Sequence, residues 1–216
     1  MRTSIRLWSL LLLAVLFSPP PVRAQTPDPV NRLIDRIVGR EQEFLQRMKQ
    51  HKPILETYIQ EMPGGADAPP ANDHYMIGRL ELADGISYTP FAASAGFQRR
   101  GGLFARSGFW FTAEGFAQMT VPDAFEFNRQ TYGVEYVRRE FLGDLRCLVF
   151  DVSPKNKKAA GKFIGRIWVE DQDHRIVRFN GTYTLSKASS VFFHFDSWRV
   201  EVEPGFHVPA FIYVED

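Results

Sequence analysis

Cysteine is almost absent from the 216-residue chain. The only one, Cys147, lies inside a strand-like run, so no intrachain disulfide can form, and none stands just after the N-terminal leader to carry a lipid. Histidine is also sparse. His51, His74, His174, His194 and His207 show no short paired spacing, and with Cys147 they form no recognisable zinc pattern. No serine occupies a Gly-x-Ser-x-Gly elbow, which removes the usual signature of a hydrolase nucleophile. No long apolar run follows the leader, so nothing reads as a permanent membrane anchor. Positive charge is not in excess either. Without the leader's Arg2, Arg6 and Arg23, the 26 Lys plus Arg fall to 23 against 25 Asp plus Glu. That balance, and a single unrepeated Arg-Gly-Gly at 100–102, give nucleic-acid binding no support.

What the chain does have is phenylalanine, 19 residues of it, within a hydrophobic fraction of 44% that is ordinary for a folded domain. Residues 1–24 read as a secretory signal: Arg2 and Arg6, the apolar run Leu7 to Phe17, then a proline-rich stretch ending in Val22-Arg23-Ala24. Cleavage is expected after Ala24, with the mature product in the periplasm or secreted. Residues 25–216 are expected to form one domain. Between Thr26 and Gln50, Val30, Leu33, Ile34, Ile37, Val38, Phe44, Leu45 and Met48 recur at helical spacing, which predicts an amphipathic helix whose stripe must be buried.

Strands are expected at Pro53–Met62, His74–Leu82 and Ser87–Phe91, with a weak strand or helical turn at Gly115–Met119. Ala92–Gly108, rich in Gly and Ala and carrying Arg99, Arg100 and Arg106, reads as a long crossover or a flap. From Tyr132 to Thr184, four Val-, Ile-, Phe-, Tyr- and Arg-rich runs are separated by turns too short for parallel crossovers, so they predict an antiparallel meander. A last hairpin is expected from Val191–Val202 and Phe206–Val214, with Pro209 marking an edge strand or bulge. The chain stops at Asp216 directly after strand-like residues, which leaves open a natural terminus or a shortened gene lacking further strands.

Alternation along the meander puts Phe163, Ile167, Val169, Val177, Phe179 and Tyr183 on one apolar face, against Arg166, Trp168, Arg178 and Asn180 on the other. One helix covers a strip about 10 Å wide, whereas a sheet of strands about 4.8 Å apart is several times wider. Either the sheet curls and fills itself, or it leaves a cavity for an apolar ligand. For such a cavity the expected lining is Phe150, Ile167, Val177, Phe179, Trp198 and Phe211.

Polar clusters carry less. His194 and Asp196, two apart on one strand, make the one intimate His/Asp pair and read as a polar pair at a sheet margin. Glu170, Asp171, Asp173 and His174 read as a solvated turn without EF-hand spacing. Lys155, Lys157, Lys158 and Lys162 read as a soluble hairpin tip, and Cys147 as a small buried hydrophobe. No metal or other cofactor is expected.

The layout from Leu142 to Tyr183 is a Leu-Gly turn, a strand ending in Pro154-Lys155, Arg166-Ile167-Trp168-Val169, an acidic turn, then Ile176-Val177-Arg178-Phe179. It resembles the outer-membrane lipoprotein-sorting (LolA/LolB-like) superfamily and its secreted members. The resemblance implies a mainly β, α+β fold in which a strongly curved antiparallel sheet, an incomplete barrel, wraps over the N-terminal helix. It implies a periplasmic carrier for a lipid, an acyl chain or a lipoprotein, with no enzymatic chemistry. The other reading is an envelope-sensing regulatory module that acts through a protein partner.

Overall fold

The computed structural model describes residues 29–61, 69–83, 85–91, 113–185 and 193–215. The leader and the Ala92–Gly108 segment, with Arg99, Arg100 and Arg106, lie outside these residues. The expected helix is Pro29–His51 (α1), and it begins with proline at a position where a missing N–H costs nothing. It ends where Lys52 turns to φ 44° and Pro53 forbids continuation. Lys49 and His51 place basic groups at its carbonyl end. Ile34, Ile37, Phe44, Leu45 and Met48 are buried along one stripe, and Glu41 is buried among them.

Two antiparallel sheets follow. The first joins β1 (Ile54–Glu61), β2 (Asn72–Glu81) and β3 (Ser87–Pro90) in that order. A short helix, α2 (Ala113–Gln118), stands where the sequence allowed either a weak strand or a helical turn. The second sheet takes β4 (Tyr132–Leu142), β5 (Leu145–Pro154), β6 (Phe163–Glu170), β7 (Ile176–Tyr183), β8 (His194–Glu203) and β9 (Phe206–Glu215) in chain order. The expected meander and the expected last hairpin are thus one continuous sheet. Pro209 lies in an edge strand beside a bulge, since Trp198 pairs with Phe211 but Arg199 with Pro209, and Ala210 has no partner. The described strands are open sheets, mainly β with few helices, and they form no closed barrel.

Helix α1 connects the two sheets. Its N-terminal half, through Leu33, Ile37 and Val38, packs on Phe150, Phe163, Ile167, Phe179 and Phe195 of the larger sheet. Its C-terminal half, through Phe44, Leu45 and Met48, packs on Leu80 of β2, on Leu82 just after that strand, and on Phe206 of β9. The floor beneath the first half is aromatic, with Phe163 edge-on to Phe179 at 5.7 Å and Phe179 edge-on to Phe195 at 5.7 Å. A pair of facing glycines makes room for it. At Gly181 an added Cβ would lie 2.3 Å from the Ile164 carbonyl oxygen and 2.9 Å from the Phe163 ring.

Candidate functional site

The six residues expected to line one cavity do not share one face. Phe150, Ile167 and Phe179 are each 0% exposed and form the floor under α1. Val177 packs on the opposite face with Cys147, Val149 and Trp168. The cause is a bulge: Trp168 pairs with Arg178 but Val169 with Ile176, so Val177 is the extra residue, and simple alternation fails there. Trp198 pairs with Arg178 and with Phe211, and these belong to the second face as well. Phe211 is 59% exposed. On that face the Arg178 guanidinium lies 4.3 Å from the ring centres of both Trp168 and Trp198 and forms a paired contact with Asp196 at 2.8 and 2.7 Å.

The floor residue that alternation overlooked is Arg199. Strict alternation that puts Trp198 in the lining puts Phe193 and Phe195 on the opposite face of the strand. In the structure Phe195 is in the floor, and Ser197 and Arg199 are buried further along the same strand. Arg199 meets Glu41 of α1 in a two-pronged ion pair, with Nη1 donating to Oε2 and Nη2 to Oε1, both at 2.7 Å. The side chains are 2% and 1% exposed. The guanidinium also lies 4.1 Å from the Phe44 ring centre and 5.5 Å from that of Phe179. A carboxylate in line with Ile34, Ile37, Phe44 and Met48 was the available sequence signal, because an acid on an apolar stripe demands a buried cation.

Beside this pair, Arg40, Glu41, Arg175, Arg199 and His207 surround a cavity of about 10 Å³. Burial lowers the pKa of His207; Glu201 opposes that effect, while Arg175 and Arg199 add to it. Outside, an open groove of about 900 Å³ runs along α1, past Gln42, Gln46 and Lys49, to Phe125 and Arg175. Arg175 lines both spaces.

A second buried polar cluster fastens the segment after α2 over the end of the floor. Asp123 accepts the backbone N–H groups of Phe125 and Glu126 at 2.9 Å, the Tyr132 hydroxyl at 2.7 Å and Lys162 Nζ at 2.9 Å. Burial alone would raise the Asp123 pKa, but these four donors outweigh it and hold it below the ordinary carboxylate value. Burial, then the hydrogen bond to Asp123 and after it that group's charge, raises the pKa of Tyr132. Tyr183 donates to the carbonyls of Gln118 and Val121, and Arg129 grips Asp35 of α1 at 2.6 Å. Lys162 is therefore separate from the expected solvated tip: its side chain is 14% exposed and bonds Glu126 as well as Asp123, because the turn folds back onto the 123–126 segment.

The remaining polar candidates are engaged elsewhere. His194 contacts the Asn180 side-chain oxygen at 2.8 Å, and Asp196 serves Arg178, so the two are not partnered. In the acidic turn the Glu170 carboxylate accepts the N–H groups of Gln172 and Asp173, and Asp171 binds Arg146. Among the described residues no group of three His, Cys, Asp or Glu side chains is placed to hold a metal, and no helix is long and apolar enough to cross a membrane. Comparison with known protein families, curated proteins and solved structures finds no match to this chain.

Proposed function

We propose that the chain is an exported binding protein for an apolar chain, the acyl chain of a lipid or of a lipidated protein, and that it works without covalent chemistry. The observation that carries this reading is the fastening of α1 over an aromatic floor by one ion pair shielded from water. Phe150, Ile167 and Phe179 are covered in the described state, and about 10 Å³ holds at most one small guest. The acyl chain therefore takes the place of α1 and does not fill a standing void. A desolvated ion pair suits that exchange. Its attraction in place is offset by lost hydration, so separating both partners into water costs far less than the two short bonds suggest. The sheet then serves as the curved trough of an incomplete barrel, with α1 as its displaceable cover.

Uptake of a fluorescent fatty acid by the purified mature chain tests the reading, together with native mass spectrometry for retained lipid. Saturable uptake, lost when α1 is crosslinked to β8 and regained on reduction of the crosslink, is the expected result. No uptake and no retained lipid would refute it. The exposed apolar residues Phe141, Leu145, Phe211 and Tyr213 favour a second reading, a regulatory module that docks on a protein partner. Co-purification of a membrane protein in the absence of lipid would favour that one.

A further inference from the structure

The larger sheet has two outer strands, and their edges differ. β4 carries Glu135, Arg138, Arg139 and Glu140, and Val137 is an extra residue where its register against β5 shifts. Charges and bulges of this kind keep an edge from pairing with another chain. β9 has no formal charge from Val208 to Val214, and Pro209 with the bulge at Ala210 blunts only its first half. Beyond them Ile212 and Val214 turn inward onto the floor. Phe211 and Tyr213 stand 59% and 51% exposed on the opposite face, beside Trp198 and Asp196 of β8. Among the described residues no strand pairs with the far side of β9.

An uncharged edge with outward aromatics flanking an inward aliphatic suits a strand of the same pattern, and β9 has that pattern itself. Two copies of β9 laid antiparallel must be related by a two-fold axis through a residue, because an axis between residues would set inward side chains against outward ones. What meets what then fixes the centre. Centred on Phe211, the pairing sets Tyr213 against Pro209, which has no N–H to offer; centred on Tyr213, it sets Phe211 against Glu215. Centred on Ile212, it sets Phe211 of each copy against Tyr213 of the other on the outer face, and Ile212 against itself on the inner one. We propose that the chain forms a two-fold dimer through β9, centred on Ile212, which joins two six-stranded sheets into one. An aromatic side chain presents about 200 Å², so four half-exposed rings give up about 400 Å², and with the edge backbones the interface stays under the ~1,200 Å² of standard complexes. The dimer is therefore reversible and concentration-dependent. It lies at the sheet margin and leaves the floor under α1 as it is in one copy, so it goes beyond the acyl-chain reading.

The test contains no lipid, so its outcome is separate from that of the acyl-chain reading. Sedimentation equilibrium of the mature chain over about a hundredfold range of concentration should show the mass rising from one copy to two. Tyr213→Lys removes both aromatic pairs at once and should weaken the association about tenfold or more, whereas Phe141→Lys, at an exposed position on the opposite edge strand, should leave it unchanged. Mixing Phe211→Cys with Tyr213→Cys under mild oxidation should give a disulfide-linked dimer that neither variant gives alone, because only directly opposed residues bring their Cβ atoms within bonding reach. Cys147 is buried and takes no part. A single copy at every concentration, a dimer that Tyr213→Lys leaves intact or Phe141→Lys weakens, or equal crosslinking in the single and mixed samples would each overturn the proposal. So would a monomeric chain whose β9 is occupied by a different protein. If Tyr213→Lys does not fold, the mixed crosslink decides.

Discussion

Replacing Glu41 and Arg199 together by methionine should leave the protein as stable as the wild type or more stable, while either replacement alone should be severely damaging. Both side chains are within 2% of complete burial, and among the described residues they form an ion pair with each other. Arg199→Met strands a carboxylate between Phe44 and Ile37, and Glu41→Met strands a guanidinium over Phe179, so each single change should cost about 3–5 kcal/mol. In the double variant no buried charge is left at this position, and two thioethers pack against the Phe44 and Phe179 rings. Comparable exchanges of buried ion pairs range from neutral to about 1–4 kcal/mol more stable. Equilibrium urea unfolding of all four proteins closes the cycle, provided the dependence on denaturant stays constant across them. Fatty-acid uptake measured in parallel should fall in the double variant, because a cover held by apolar contact regains no hydration on lifting. A double variant several kcal/mol less stable than the wild type would refute the argument that the pair sits near balance.

Three further outcomes follow from the packing. Asp123→Asn should cost about 1–3 kcal/mol near neutrality, since the amide cannot accept from all four donors. The folded pKa of Asp123 is depressed, so its contribution is complete above the unfolded value of about 3.9 and fades as pH falls through the folded value; the wild-type and variant stability curves should converge there. Gly181→Ala should cost about 1–3 kcal/mol, toward the upper end, because the new carbon meets backbone at 2.3 Å; unchanged thermal unfolding would contradict this. Cys147 is 0% exposed, and its thiol is pushed up to about 11 by burial first and then by Glu170, Asp171 and Glu140. A thiol reagent should therefore label it only at the rate of unfolding, and fast labelling of the native protein would show the strand to be open.

The chain's local order was legible because it is periodic. The apolar repeat from Leu33 to Met48 predicts the helix, and alternation between turn residues predicts the antiparallel strands. Which side of the sheet each residue takes was less legible. Val177 follows the pattern until the Trp168/Val169 irregularity adds a residue, and Trp198 leads its strand's alternation only if Phe195 is assigned to the wrong side. Irregularities of this kind leave no mark in composition, since the extra residue is as apolar as its neighbours. Glu41 was visible as an acid on a greasy stripe, but its partner lies 158 residues away on a strand whose facing was misread.

The sequence by itself determined the secondary elements and their antiparallel order, because periodicity and turn chemistry act over a few residues and need no distant partner. Only the tertiary structure decided what the interior is. The bulges chose which side chains turn inward, and bringing α1 onto β8 put a carboxylate and a guanidinium within bonding distance in a place without water. Burial, and the charge pairing that burial demands, belong to the assembled whole and to no single segment.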